Sequence, residues 1–189
     1  MVVDFRSIGP ALAFPLTVLL PLAALGMLIR ECLRTADVAL AGAAGLLVFG
    51  LAAWTLAEYL LHRFILHRLE PFRSWHLEHH LHPEVPMRTP LFFSLMLLLG
   101  LVGAPLLLWA SQGQAMAFSG GLILGHLAQE LVHYQLHRAE YRRKGWLCER
   151  WRYHDFHHHG HEGQAFGTLS SVWDSLFGTR PGARVMPDR

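Results

Sequence analysis

Fourteen histidines in a chain of 189 residues, against 16 lysines and arginines together, mark out the chemistry to consider first. Imidazole is the commonest neutral metal ligand, and ten of these rings fall in four spaced clusters. His62 and His67 frame HRFILH, and His76, His79 and His80 lie in HLEHH. His133 and His137 frame HYQLH, and His154, His157 and His158 lie in HDFHH. Residues at i, i+3 and i+4 share one face of an α-helix. The second and fourth clusters therefore each present their rings in one direction, and His133 pairs with His137 in the same way. His62 and His67, five apart, do not share a face of a regular helix. Their spacing predicts either a break in the helix or ligands that reach two different ions.

Ten imidazoles exceed what one ion accepts, which is about four ligands for structural zinc and at most about six for an octahedral ion. Two ions with about five nitrogens each use the whole set and leave a position open for oxygen. Nitrogen donors suit iron, copper, nickel or zinc and argue against magnesium or calcium. Haem-binding histidines face each other inside a bundle instead of standing in triplets beyond its end. A metal-buffering tract is a run without helical phase, and only 157–161 has that look. Cys32 and Cys148 form no CxxC or zinc-finger spacing, so the metal reading stands on nitrogen alone. Glu58 lies one turn before His62, and Glu130 lies three residues before His133. Either carboxylate can take the second N–H of a metal-bound ring, or join helices by a structural hydrogen bond. His126 lies about 10 Å along the helix from His133, where it lines a substrate cavity or packs.

The elements that must position these rings read as membrane helices. Hydrophobic residues make up 52% of the chain and charged residues 16%, below the roughly 25% charge of soluble domains. The net charge of +2 gives no reason to expect nucleic acid. No charged residue occurs in Ser7–Ile29, Val38–Ala57 or Thr89–Gln129, and SQGQ at 111–114 divides the last run. Transmembrane helices are therefore expected near 8–30, 38–61, 90–110 and 115–137. Pro10, Pro15 and Pro21 interrupt the first, for which a cleaved signal peptide is the alternative. Four alternating spans gather 13 of the 14 histidines on one side, His126 being the exception, together with both termini. Fourteen of the 16 lysines and arginines share that side, all but Arg30 and Arg34, which makes it cytoplasmic by the positive-inside rule. The expected fold is an all-α integral membrane domain over 1–189, with a cytosolic helical cap formed by 62–88 and 138–189.

The stretch Glu58-Tyr59-x2-His62-Arg63-x3-His67, followed by His76-x2-His79-His80, resembles the fatty acid hydroxylase/sterol desaturase superfamily. Glu130-x2-His133-Tyr134-x2-His137 and His154-x2-His157-His158 resemble it too. The segment Phe166-Gly167-x5-Trp173-Asp174-x2-Phe177-Gly178-Thr179 is similar to the C-terminal signature of fatty acid 2-hydroxylases. The resemblance runs from about residue 54 to 180 and carries the ten clustered histidines over as ligands. It implies two iron ions, O2 as co-substrate and hydroxylation of an unactivated C–H bond in a lipid, a fatty acyl chain first of all. Electrons would come from a separate protein, cytochrome b5-like or ferredoxin-like with its reductase. Zinc is a possible occupant of the same ligands. Arg138 departs from the pattern where many 2-hydroxylases have a further histidine, and His82, His159 and His161 are extra to it. Carotenoid ring hydroxylation and sterol-type desaturation are the alternatives within the enzyme class. A metal-transport or metal-storage protein is the alternative outside it, although transport ligands belong near the bilayer midplane.

The remaining polar features have milder readings. Arg142, Arg143, Lys144, Arg150 and Arg152 suit a positive-inside cluster, or a docking surface for the donor or for lipid headgroups. Trp75, Trp146 and Trp151 suit interfacial anchors. In the C-terminal segment Trp and Phe are expected to pack, Gly167 and Gly178 to permit turns, and Asp174 to have no catalytic part.

Overall fold

The computed structural model describes residues 10–35, 37–83, 91–108, 111–138, 145–160 and 163–182, with side chains from 18 and 96 onward in the first and third stretches. Every regular element among them is helical. The order is α1 (Pro10–Thr35), α2 (Leu40–Leu60), a π-helical turn (Leu61–Leu66), α3 (Phe72–Leu81) and α4 (Leu91–Leu108). Then follow α5 (Gln112–Arg138), α6 (Trp146–His159) and the short α7 (Val172–Leu176). The long helices α1, α2, α4 and α5 fall where the apolar stretches predict them. Pro15 and Pro21 do not break α1, nor does Pro105 break α4. Each proline removes one backbone donor, while the rest of a long apolar helix keeps its ladder.

Two helical stretches, Leu40–Leu66 and Gln112–Arg138, are each 27 residues long and apolar enough to cross a membrane. At 1.5 Å per residue such a helix is about 40 Å long, more than a bilayer's hydrocarbon core. Met96–Leu108 is apolar but shorter.

The chain divides into two compact units, Met1–Trp54 with Arg88–Leu127, and Thr55–Met87 with Ala128–Arg189. In the first, α1 packs on α4, and α2 meets α5 backbone to backbone. A Cβ on Gly121 would collide with Leu47 O and come within 2.9 Å of Gly50 Cα. One turn along, Trp54 is 2% exposed and occupies the space that a side chain at Gly125 would need. The Trp54 ring stands edge-on to His126 at 4.9 Å, so His126 is a packing partner. Asp37 accepts from Gly113 N at 3.0 Å and Ser111 Oγ at 2.9 Å, meeting donors that the first turn of α5 leaves open. Leu40, Val48, Phe49, Leu99 and Leu107 are all exposed. Apolar groups face outward here, as a lipid solvent favours.

In the second unit the π-helical turn packs against α3. This unit also holds the C-terminal end of α5, α6, α7 and the 163–171 loop, and with them every clustered histidine.

Candidate metal centre

The ten clustered histidines form two groups of five: His62, His67, His76, His80 and His157 in one, and His79, His133, His137, His154 and His158 in the other. Within each group one ring nitrogen per residue lies within 4.8 Å of all the others. The division follows from helix geometry. Successive residues are about 100° apart around an α-helix, so i and i+4 nearly superpose while i+3 points well away from i+4. On α3, His76 and His80 accordingly enter the first group and His79 the second. On α6 the assignment is reversed, with His154 and His158 in the second group and His157 in the first. Each triplet thus serves both groups and does not face one way as a unit.

His62 and His67 belong to the same group because of the π turn, where His67 N donates to His62 O at 3.2 Å across five residues. The wider turn brings i and i+5 onto one side, which a regular α-helix does not. Of the two readings of that spacing, the structure shows the break in the helix.

The donors within the first group are arranged for a cation. His62 Nδ1 lies 2.6 Å from Phe166 O, and His157 Nδ1 lies 3.0 Å from Gln164 O. A carbonyl only accepts, so both rings carry their proton on Nδ1 and turn a bare Nε2 lone pair inward. Nε2 of His76 lies 3.0 Å from that of His62, 3.1 Å from that of His67 and 3.0 Å from that of His80. One proton on His76 can satisfy only one of these three contacts, whereas a central cation satisfies them all. Nitrogens about 2.1 Å from an ion and at right angles to each other would be about 3 Å apart, as these are. In the second group Nε2 of His133 lies 3.2 Å from that of His79 and 3.0 Å from that of His137. Nε2 of His154 and His137 are 2.9 Å apart. The residues present fit two metal ions.

The sequence model of the fatty acid hydroxylase family matches residues 47–179. The chain belongs to this family. Among curated relatives of this family member, a dihydroceramide fatty acyl 2-hydroxylase of Arabidopsis thaliana is 34% identical over 109 residues, 57% of the chain and 45% of the relative. A fatty acid 2-hydroxylase of Macaca fascicularis is 36% identical over 62 residues, 33% of the chain and 16% of the relative. The chain thus spans less than half the length of the curated relatives it matches. A solved structure described as full-length Scs7p with only the hydroxylase domain visible shares the fold, with a TM-score of 0.73 and 24% identity. That match covers 92% of this chain and 69% of the other.

Around the histidines, the hydroxylase-family chain uses groups that its sequence does not advertise. The two Nδ1 protons go to backbone carbonyls, which have no residue-type signature. Glu58 is 3% exposed, and its Oε1 accepts from Thr168 N at 2.6 Å. It thus holds the loop that carries those carbonyls. Glu130 sits on α5, three residues before His133. His82 and His159 are exposed, with Nε2 of the first 3.8 Å from Glu78 and Nδ1 of the second 3.2 Å from Asp155. Arg150 is only 8% exposed and lies 4.7 Å from the Tyr153 ring centre, so it contributes no surface charge. Trp146 is exposed, and Trp75 and Trp151 are half-buried. His161, Arg142, Arg143 and Lys144 lie outside the described residues.

Burial, reinforced by neighbouring imidazoles, pushes His67 down to about 4 and His80 to about 3. His157 is held at about 4 by burial and by His67, and burial among the other rings holds His76 and His154 well below the ordinary range. In the unfolded chain these rings titrate near about 6.5. As the pH falls from there towards about 4, the unfolded form takes up protons that the folded form refuses, so stability falls. Metal-free protein in detergent should therefore melt several degrees lower at pH 5 than at pH 7.5. A melting temperature that is flat or rises on acidification would contradict the neutral, buried rings.

Proposed function

We propose that this chain is a membrane-bound hydroxylase that uses two iron ions, O2 and electrons from a separate donor to hydroxylate an unactivated C–H bond of a fatty acyl chain. The observation that carries this reading is the pair of five-nitrogen groups, in which the Nε2 atoms of every ring but His158 meet one another. Iron in such groups supplies the one-electron chemistry with O2 that attack on an alkyl C–H bond demands. His62, His67, His76, His80 and His157 would hold one ion, and His79, His133, His137, His154 and His158 the other. The chain's own part is to keep the rings neutral and oriented. The family match and the 2-hydroxylase names of the curated relatives support an acyl substrate. Zinc fits the same nitrogen donors and would leave the centre redox-inert.

We place α1, α2, α4 and α5 across the bilayer as parts of one membrane domain, with the histidines and both termini on the cytoplasmic side. Support comes from the outward-facing leucines, from the two 27-residue apolar helices, and from the 14 lysines and arginines on the histidine side. In that arrangement a lipid chain enters from the bilayer, and a soluble cytochrome b5-like or ferredoxin-like donor reaches the centre from the cytosol.

The test is metal analysis, iron and zinc together, with lipid product analysis in cells that express the wild type or His157→Ala. Two metals per chain and an oxygen-dependent hydroxylated lipid that the variant fails to make are the expected results. A single metal in the wild type, or unchanged product in the variant, overturns the proposal.

A further inference from the structure

The two carbonyls that orient His62 and His157 stand on either side of Ala165, the one non-glycine residue with positive φ among those described, at 61°. Ala165 is 2% exposed, and a left-handed alanine persists only where its surroundings impose it. The surroundings here converge on one side chain. Asp174 is fully buried, and its Oδ1 accepts from Phe166 N at 2.9 Å while its Oδ2 accepts from Gly167 N at 2.9 Å. Ala165 N donates to Thr179 O at 3.0 Å, and Thr179 N donates back to Asp174 O at 2.8 Å. A Cβ on Gly167 would collide with Ser170 O and press on Asp174 Oδ2 at 3.0 Å, so the loop closes around the carboxylate without slack.

A chain of side-chain donors also ends there. Arg63 donates to Tyr59 Oη at 2.6 Å, and Tyr59 Oη lies 2.9 Å from Thr179 Oγ1. Thr179 Oγ1 donates its only proton to Asp174 Oδ1 at 2.8 Å, so Tyr59 must donate to Thr179. The phenol stacks on Phe177 at 5.4 Å and meets Phe166 edge-on at 6.0 Å. Both imidazoles that the loop carbonyls engage, His62 and His157, belong to the first histidine group.

We propose that Asp174 is a positioning residue for one metal ion of the two. By gathering the N–H groups of Phe166 and Gly167, it holds Gln164 O and Phe166 O where they fix the tautomer and aim of His157 and His62. The inference rests on the dimetal reading above. Outer partners of metal-bound histidines typically account for about 10–100-fold in metal affinity, and here two ligands depend on one carboxylate.

The test uses Co(II), whose absorption reports nitrogen coordination, titrated into detergent-purified full-length protein. The wild type should bind two ions, whereas His133→Ala should keep the first group's site and His67→Ala the second's. Asp174→Asn keeps the shape but replaces one accepting oxygen with a donor. In the His133→Ala chain it should weaken Co(II) binding at least about tenfold and alter the spectrum. In the His67→Ala chain it should leave both affinity and spectrum unchanged. Equal weakening in the two backgrounds, or none in the first, overturns the proposal. Fewer than two ions in the wild type would overturn the dimetal reading instead. Should Asp174→Asn not fold, Thr179→Val removes one donor to the same carboxylate. It must then weaken the first group by several-fold and spare the second, and any other pattern counts against the proposal.

Discussion

Alanine at His157, His158 and His159 is expected to give two different outcomes from three adjacent residues. His157 supplies a nitrogen to the first group and His158 to the second, whereas the His159 ring is exposed beside Asp155. On the proposed two-iron reading, His157→Ala and His158→Ala should each lower the iron retained through purification from two per chain towards one. Product should fall at least about a hundredfold in both, since partners one shell further out already account for about 10–100-fold. His159→Ala should keep both metals and full product. Metal analysis and lipid chromatography on the three variants read this directly. Were all three alike, the run would be acting as an unspecific histidine tract, and the two-group assignment would be wrong.

The second large effect is expected in the unit that holds no histidine cluster. Gly121→Ala adds one methyl group where α5 meets α2, and that methyl would meet backbone only: Leu47 O, Leu51 N at 2.8 Å and Gly50 Cα at 2.9 Å. Flexible side chains can rotate out of the way, but two helix backbones must move apart together. Overpacking commonly costs about 1–3 kcal/mol, and contact with three backbone atoms of α2 places this site at or above the upper end. Alanine gains about 1 kcal/mol in helix propensity over glycine, which does not offset it. Gly26 and Gly100 have nothing within 4 Å of an added Cβ, so Gly26→Ala and Gly100→Ala should be neutral or stabilising. Thermal melting in detergent and the yield of monodisperse protein separate these cases. A Gly121→Ala chain as stable as the wild type would show that α2 and α5 do not approach this closely.

Side-chain chemistry was legible in the residues themselves, and so was the shared phase of the i, i+4 pairs, whereas the expectation that each triplet faces one way was wrong. The four clusters, a histidine count beyond what one ion accepts and the positions of the long helices all follow from residue type and spacing. Three features were not legible, each for its own physical reason. The sharing of each triplet between groups depends on where neighbouring helices stand, since His79 and His80 differ only by a rotation about α3. The grouping of His62 with His67 needed a π turn, and the local sequence LHRFIL carries no proline or glycine to announce one. The acceptors for His62 and His157 are peptide oxygens, and every residue has one. Asp174 was visible as the only ionisable group of WDSLFGT. Its work lies in the backbone donors it collects, which no residue pattern displays.

The loop carbonyls also set a schedule for making the protein. Phe166 follows His62 by 104 residues, and Thr179, whose hydroxyl completes the chain to Asp174, follows Tyr59 by 120. A ribosome therefore releases His62, His67, His76 and His80 long before it makes anything that can orient them. Until then these four rings lack His157, and His62 lacks its peptide acceptor. On the dimetal reading proposed above, tight metal capture at the first group waits until residue 179 has been made. On that reading, metal is delivered to a chain that already carries the 163–179 segment and not to one that has only its first two histidine clusters.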